Sequence, residues 1–333
     1  MGSRLSASYI AAFAGLMFLA FVPPLLQGQG SESRSLPLRP KKGVVVPFEY
    51  VHNLILVKLS LNGSPPVSFS LDTGADTTSL DRQAVDAAHL RAVMIKGELN
   101  ALSGTCALGP VAQGIHLKVG KNELLRGSGL VLDLSQFEKP LGIPLAGIFG
   151  FDYLRQFPVL LDYRAKTITI FADKKVRYSG LSALIVPLEK GKEPGKPPSL
   201  PVIAVQLELP DGSSAEAKLT IDTGFDGALG LHGPFVREHP SVQAAPSANP
   251  PAGPLYNQAF CGDKYEAELG KVSAIRLGGT RFSAPDVVYS KTPAGIADSS
   301  ETDGELGNKF LSQFRIFFDV PRNVIVFEPL SDR

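Results

Sequence analysis

Two segments of this 333-residue chain end an alternating apolar run in the same tripeptide. Val67, Phe69 and Leu71 lead into Asp72-Thr73-Gly74, and Ala217, Leu219 and Ile221 lead into Asp222-Thr223-Gly224. A period of two predicts a half-buried strand, so each aspartate stands where a strand passes into a glycine-containing loop. What surrounds each loop is repeated as well. Val45-Val46-Pro47-Phe48 is echoed by Ile185-Val186-Pro187-Leu188, and Gly147-Ile148-Phe149-Gly150 by Gly304-Glu305-Leu306-Gly307. A closing hairpin over 158–163 and 167–171 returns over 314–319 and 324–327. A duplicated unit of this size confines the chain to two similar lobes with their equivalent loops as facing edges.

The lobes read as residues 43–178 and 179–330, preceded by a leader (1–30) and a polar, flexible lead-in (31–42). The 27 prolines and 33 glycines fall between short β-branched and aromatic runs, which predicts an all-β fold with a few short helices. With 44% hydrophobic and 20% charged residues the chain is not disordered, and a net charge of +1 without a basic cluster excludes nucleic acid as a main partner. In the leader, Arg4, the apolar run 9–22, the Pro23-Pro24 break and the small residues Gly28 and Gly30 form an export signal to the periplasm or the exterior. Retained, the leader would be a membrane tether, although the run is short of the about 20 residues a span needs. No cysteine lies near its end, which argues against a lipid-modified N-terminus. The two cysteines, Cys106 and Cys261, permit one disulfide or two buried thiols.

Local signals place a turn at Asn62-Gly63, a strand over 53–61, and a short helix over 80–90 with Asp81 as its cap. They place strands over 115–119 and 130–134, an inserted loop over 190–201 and a mobile surface loop over 240–254.

A carboxylate followed by Thr and Gly has a physical logic. The backbone N–H groups of Gly74 and Gly224 can approach and orient a carboxylate, and the hydroxyls of Thr73 and Thr223 can reach across to the opposite loop. Two carboxylates within hydrogen-bond distance share one proton, so a water between them meets a base on one side and an acid on the other. That chemistry hydrolyses an amide without metal or cofactor.

These motifs resemble those of the retropepsin-like (retroviral-type) aspartic proteases, in a bacterial, exported, single-chain form. The likeness rests on Leu71-Asp72-Thr73-Gly74-Ala75-Asp76-Thr77, Ile221-Asp222-Thr223-Gly224-Phe225-Asp226 and the two later glycine-flanked runs, and extends over about residues 44–329. It implies a two-lobed acid-protease fold of pseudo-twofold, barrel-like lobes, a monomer, and a peptide or protein substrate. Asp72 and Asp222 would be the catalytic pair, with Thr73, Gly74, Thr223 and Gly224 locking and orienting the loops. Ala75, Asp76, Phe225, Asp226, Gly104 and Gly262 are candidate substrate contacts. Segments 102–106 and 258–262 are candidate flaps over the cleft, and each carries one cysteine, so a latch between Cys106 and Cys261 is possible on this reading.

Three departures matter. Pepsin-type relatives carry Ser or Thr after the glycine, where this chain has Ala75 and Phe225, so a less acidic pH optimum is expected. Glu305 stands where the first lobe has Ile148. The viral relatives' Arg is replaced by Phe151 and Asn308, so its buried ion pair should be missing. A non-catalytic peptide-binding protein with the same fold is the alternative. The five histidines (His52, His89, His116, His232 and His239) lie in no nucleophile or metal spacing and read as surface or core. The acidic run 298–303 reads as a solvated loop rather than a calcium site, and Asp162 and Asp319 read as hairpin carboxylates.

Overall fold

The computed structural model describes residues 19–21, 43–102, 104–180, 182–190, 198–244, 255–257, 261, 265–283, 286–291 and 294–330. Within them the chain is mainly β, with short helices, as two lobes of like topology joined through one sheet.

In the first lobe Val44–Val51 pairs antiparallel with Leu54–Leu61, which pairs with Val67–Leu71, the strand that delivers Asp72. The first connection is the two-residue turn His52-Asn53, with φ of 49° and 60°. A loop this tight needs left-handed backbone at both positions, which matches the twist of the flanking strands. Val67–Leu71 then takes Gly147–Phe149 as a parallel neighbour, and Gly147–Phe149 pairs antiparallel with Ser79–Asp81. The second lobe repeats this. Ser214–Ile221 lies parallel to Gly304–Leu306, which pairs antiparallel with Leu229–Leu231.

Glycine makes these crossings possible. A Cβ on Gly147 would stand 2.3 Å from the Ser79 carbonyl oxygen, and one on Gly304 would stand 2.0 Å from that of Gly230. A Cβ on Gly150 would likewise stand 2.8 Å from the Thr77 carbonyl carbon.

The lobes meet in a six-strand run ordered Leu184–Pro187, Val324–Pro329, Phe314–Asp319, Val159–Asp162, Thr167–Ile170, Val44–Val51. Its middle pair, Val159–Asp162 against Phe314–Asp319, brings one strand from each lobe. A continuous core fills both lobes, from Phe69, Phe149 and Phe151 to Phe310, Phe314 and Phe327.

Several expectations are corrected in detail. The helix over 80–90 is shorter: Ser79–Asp81 is a strand and the helix is Arg82–Ala87, capped by Asp81, whose carboxylate accepts the Gln83 N–H at 2.8 Å. The short strand over 130–134 is the end of a long one, Asn122–Leu132, in which Gly127 and Gly129 are strand residues rather than turns. Part of the loop over 240–254 is a short helix, Ser241–Ala244; 245–254 lies outside the described residues, as do 191–197 of the inserted loop. The lead-in and most of the leader also lie outside them; Leu19–Phe21 forms a strand against Glu98–Asn100. No helix among the described residues is long and apolar enough to cross a membrane.

Candidate active site

The two Asp-Thr-Gly loops meet at the seam between the lobes. Thr73 Oγ1 donates to the Ile221 carbonyl at 2.6 Å and accepts the Thr223 N–H at 3.0 Å. Thr223 Oγ1 donates to the Leu71 carbonyl at 3.0 Å and accepts the Thr73 N–H at 3.0 Å. Each hydroxyl thus satisfies two backbone groups of the opposite loop, and all four residues are buried. A buried hydrogen bond contributes about 0.5–1.5 kcal/mol net, but leaving one of these backbone groups unpaired would cost more.

The lock brings Asp72 and Asp222 face to face, both fully buried. A Cβ on Gly74 would stand 2.5 Å from the Asp222 carboxyl carbon, and one on Gly224 would stand 2.3 Å from that of Asp72, so only glycine lets each loop pass the other's carboxylate. Asp72 Oδ1 accepts the N–H groups of Gly74 at 2.8 Å and Ala75 at 3.0 Å. Asp222 Oδ1 accepts the Gly224 N–H at 2.7 Å, and the Phe225 N–H is divided between this carboxylate and the Asp222 carbonyl, 3.4 Å away. The other oxygen of each carboxylate, Oδ2, is buried and takes no hydrogen bond from described groups outside the pair, while the two side chains bond each other.

Burial and the neighbouring Asp222 carboxylate hold Asp72 well above the usual carboxylate range. Burial, then the Glu305 carboxylate, pushes Asp222 up to about 7. Two acids this close titrate as a unit, and the pair keeps one proton well into the range where isolated aspartates are ionised.

The remaining candidates divide. The Ala75 and Phe225 side chains are buried, at 0% and 1% exposure, and Phe225 fills space over Gly227 and Gly307. Asp226 is buried and Asp76 half-buried beside the loops. Gly262 lies outside the described residues, as does most of the second candidate flap. The first candidate flap is a hairpin, Glu98–Ala101 with Gly104–Ala107. Among the described residues it reaches the second lobe by a covalent link, a backbone hydrogen bond and close packing. A disulfide joins Cys106 to Cys261 with Cα atoms 5.3 Å apart, the Leu102 carbonyl accepts the Ala297 N–H at 3.1 Å, and Leu102 packs on Ile296 and Ala297.

Sequence reasoning missed Asn308 as a functional support. Its Nδ2 donates to the Thr223 carbonyl at 2.6 Å, its Oδ1 accepts the Tyr163 hydroxyl at 2.6 Å, and its carbonyl accepts the Tyr50 hydroxyl at 3.2 Å. The position carries a neutral strut, by which two tyrosines of the first lobe hold the second loop. Its location directly after Gly307 was the available signal. Asp152 plays a one-sided role in the first lobe, accepting the Thr78 N–H and hydroxyl at 3.1 and 2.7 Å. Asp162 and Asp319 sit at the hairpins as expected, paired with Arg315 and Arg322. No cluster of metal-ligating side chains occurs among the described residues.

A paired-aspartate site at the seam of two lobes of like topology is the arrangement of a two-lobed acid-protease fold. The crystal structure of aspartic proteinase from Irpex lacteus aligns over 87% of this chain and 98% of that one, with a TM-score of 0.52 and 13% identity, a likeness of fold. Residues 57–153, which include the first Asp-Thr-Gly loop, match the family described as Aspartyl protease. The first lobe is thus similar to the aspartyl proteases, as the motifs indicated, and the chain as a whole shares the two-lobed fold of an aspartic proteinase. No curated protein matches the sequence.

Proposed function

We propose that the chain is an aspartic endopeptidase that cuts an extended peptide held between its lobes, with Asp72 and Asp222 as the catalytic pair. The observation that carries this reading is the pair itself: two buried carboxylates, each oriented from behind at Oδ1 by backbone N–H groups, with both Oδ2 atoms left for a reactant. In the singly protonated pair, the ionised carboxylate takes a proton from water as its oxygen attacks the peptide carbonyl carbon, and the protonated one donates to the carbonyl oxygen. The resulting tetrahedral diol breaks at the C–N bond when the amine nitrogen receives a proton. The Glu98–Ala107 hairpin is the flap over the substrate, and Asp76 and Asp226 are the side chains beside the loops available to the peptide backbone. Each chain supplies both loops, so a monomer suffices.

Export follows from the leader, and a disulfide between Cys106 and Cys261 suits an oxidising compartment. The test is peptide-library cleavage across pH by the purified chain and by Asp72→Asn and Asp222→Asn. Each variant should lose about 10³-fold or more in kcat/KM while remaining folded. A variant that cuts at a rate similar to wild type overturns the shared-proton mechanism, and a wild type that binds peptides but cuts none overturns the protease reading in favour of a peptide-binding protein.

A further inference from the structure

The two loops sit on unlike supports. Behind Asp72, the facing row of side chains across the three strands is Ser70, Ile148 and Ser79. Behind Asp222 the same row is Thr220, Glu305 and Gly230. A charged residue has replaced the central aliphatic one, and its neighbour has lost its side chain to admit it. A Cβ on Gly230 would stand 2.2 Å from Glu305 Oε1. Glu305 is 5% exposed.

The carboxylate is held from the far side. His232, 1% exposed, occupies the position of Asp81 in the first lobe, directly after the strand Leu229–Leu231. Its Nδ1 lies 2.9 Å from the Thr302 carbonyl and its Nε2 lies 3.1 Å from Glu305 Oε2. A carbonyl only accepts, so Nδ1 carries a hydrogen, and one further proton must lie between Nε2 and the carboxylate. Burial opposes a charge on His232, but the Glu305 carboxylate outweighs it and lifts the imidazole above its ordinary value. The pair is therefore an ion pair with its anion one strand from Asp222 and its cation a strand further away.

Of the other charges near the unit, Asp303 accepts the Lys218 N–H at 2.8 Å and adds a smaller push to the imidazole in the same direction as Glu305. Arg237, on the helix that follows His232, pairs with Asp298 at 2.8 Å. Asp222 directly follows the strand beside Glu305, whose own ionisable residues, Glu216 and Lys218, point out to solvent.

We propose that Glu305, gripped by His232, is a positioning residue that holds the shared proton on the Asp72–Asp222 pair as pH rises. It acts through Asp222, as a fixed negative end placed behind one member of the pair. Resting on the protease reading above, the inference adds a third carboxylate that extends activity toward neutral pH. The anion disfavours a second negative charge at the site, which is the event that ends activity at high pH.

Glu305→Gln tests it with little disturbance. The glutamine amide can donate to a neutral His232 Nε2 while Nδ1–H keeps the Thr302 carbonyl, so the buried hydrogen bonds survive without the charge. The alkaline limb of kcat/KM against pH should move down by about one pH unit in this variant. An unmoved limb overturns the proposal, even where kcat or stability falls. Should wild type cut no peptide, the protease reading fails separately. The inference is then read from the carboxyl 13C titration of Asp72 and Asp222, whose upper step should fall by the same amount in Glu305→Gln and whose constancy would overturn it. Should that variant not fold, the 15N shifts of His232 in wild type decide: a doubly protonated ring at pH 7.5 supports the ion pair, and a neutral ring there overturns it.

Discussion

At Asp222 the folded chain holds a proton that the unfolded chain releases. Burial, followed by Glu305, places this group at about 7, against about 3.9 for an unfolded aspartate. Below about pH 4 both states are protonated and the group adds no pH dependence. Between about pH 4 and 7 the folded state binds more protons, so unfolding releases them and stability falls as pH rises, by about 1.4 kcal/mol per unit for each proton. Asp222→Asn removes one of these protons and keeps an oxygen for the Gly224 N–H. Urea midpoints from pH 4 to 8 should therefore fall less steeply in the variant, which becomes the more stable chain near pH 7. Parallel curves would mean that the aspartate is not buried as an acid. The same property sets the expected pH range of catalysis, and it was partly legible in the sequence. Ala75 and Phe225 announced a missing hydroxyl donor at each aspartate. They gave no sign that the Ala75 N–H would serve Asp72 alone while the Phe225 N–H is divided between the Asp222 carboxylate and carbonyl.

At the scale of elements, the crossing of three short strands behind each aspartate decides which side chains can exist there. Gly230→Ala would drive a Cβ to 2.2 Å from Glu305 Oε1, and such overpacking costs about 1–3 kcal/mol. In a Glu305→Ala background the added methyl meets no carboxylate, so the same substitution should cost little, and the two effects should be strongly non-additive in a thermal-unfolding cycle. Additive losses would show that Gly230 is required for its backbone alone. The elements themselves were readable where one local rule acted alone. Period-two alternation gave the strands ending at Leu71 and Ile221, and Asp81 was a sound cap. The strand Asn122–Leu132 was not readable, because Gly127 and Gly129 look like turns until Val111–Val119 is laid beside them. The turn at His52-Asn53 was hidden because it has no glycine. The His232–Glu305 pair was hidden because it joins residues 73 positions apart, and only the sheet register brings them together.

Beyond the Asn308 strut, three ties among the described residues join the lobes across the molecule. The threonine lock is at the loops. In the shared sheet, Arg315 of the second lobe bridges Asp162 of the first at 2.7 Å and Glu328 at 2.9 Å. The third tie is the hairpin Glu98–Ala107, fastened by Cys106–Cys261 across 155 positions of chain. The disulfide closes a long loop in the unfolded chain, so Cys106→Ser with Cys261→Ser should lower stability by about 2–5 kcal/mol in denaturant titrations. Its local effect is the more telling one for a flap. Beyond the covalent link, the hairpin's described ties to the second lobe gather at its tip: the Ala297 N–H to the Leu102 carbonyl at 3.1 Å, Leu102 against Leu200, Ile296 and Ala297, and Gly295 against the backbone of Ala101 and Gly104. Such a segment opens at less than the global free energy once its clasp is removed. Amide exchange over 98–107 should accelerate in the double serine variant under conditions where the strands around Asp72 and Asp222 stay protected. Unchanged exchange there would mean that the contacts at Ala297 hold the hairpin down unaided, and that the disulfide acts on the unfolded chain alone.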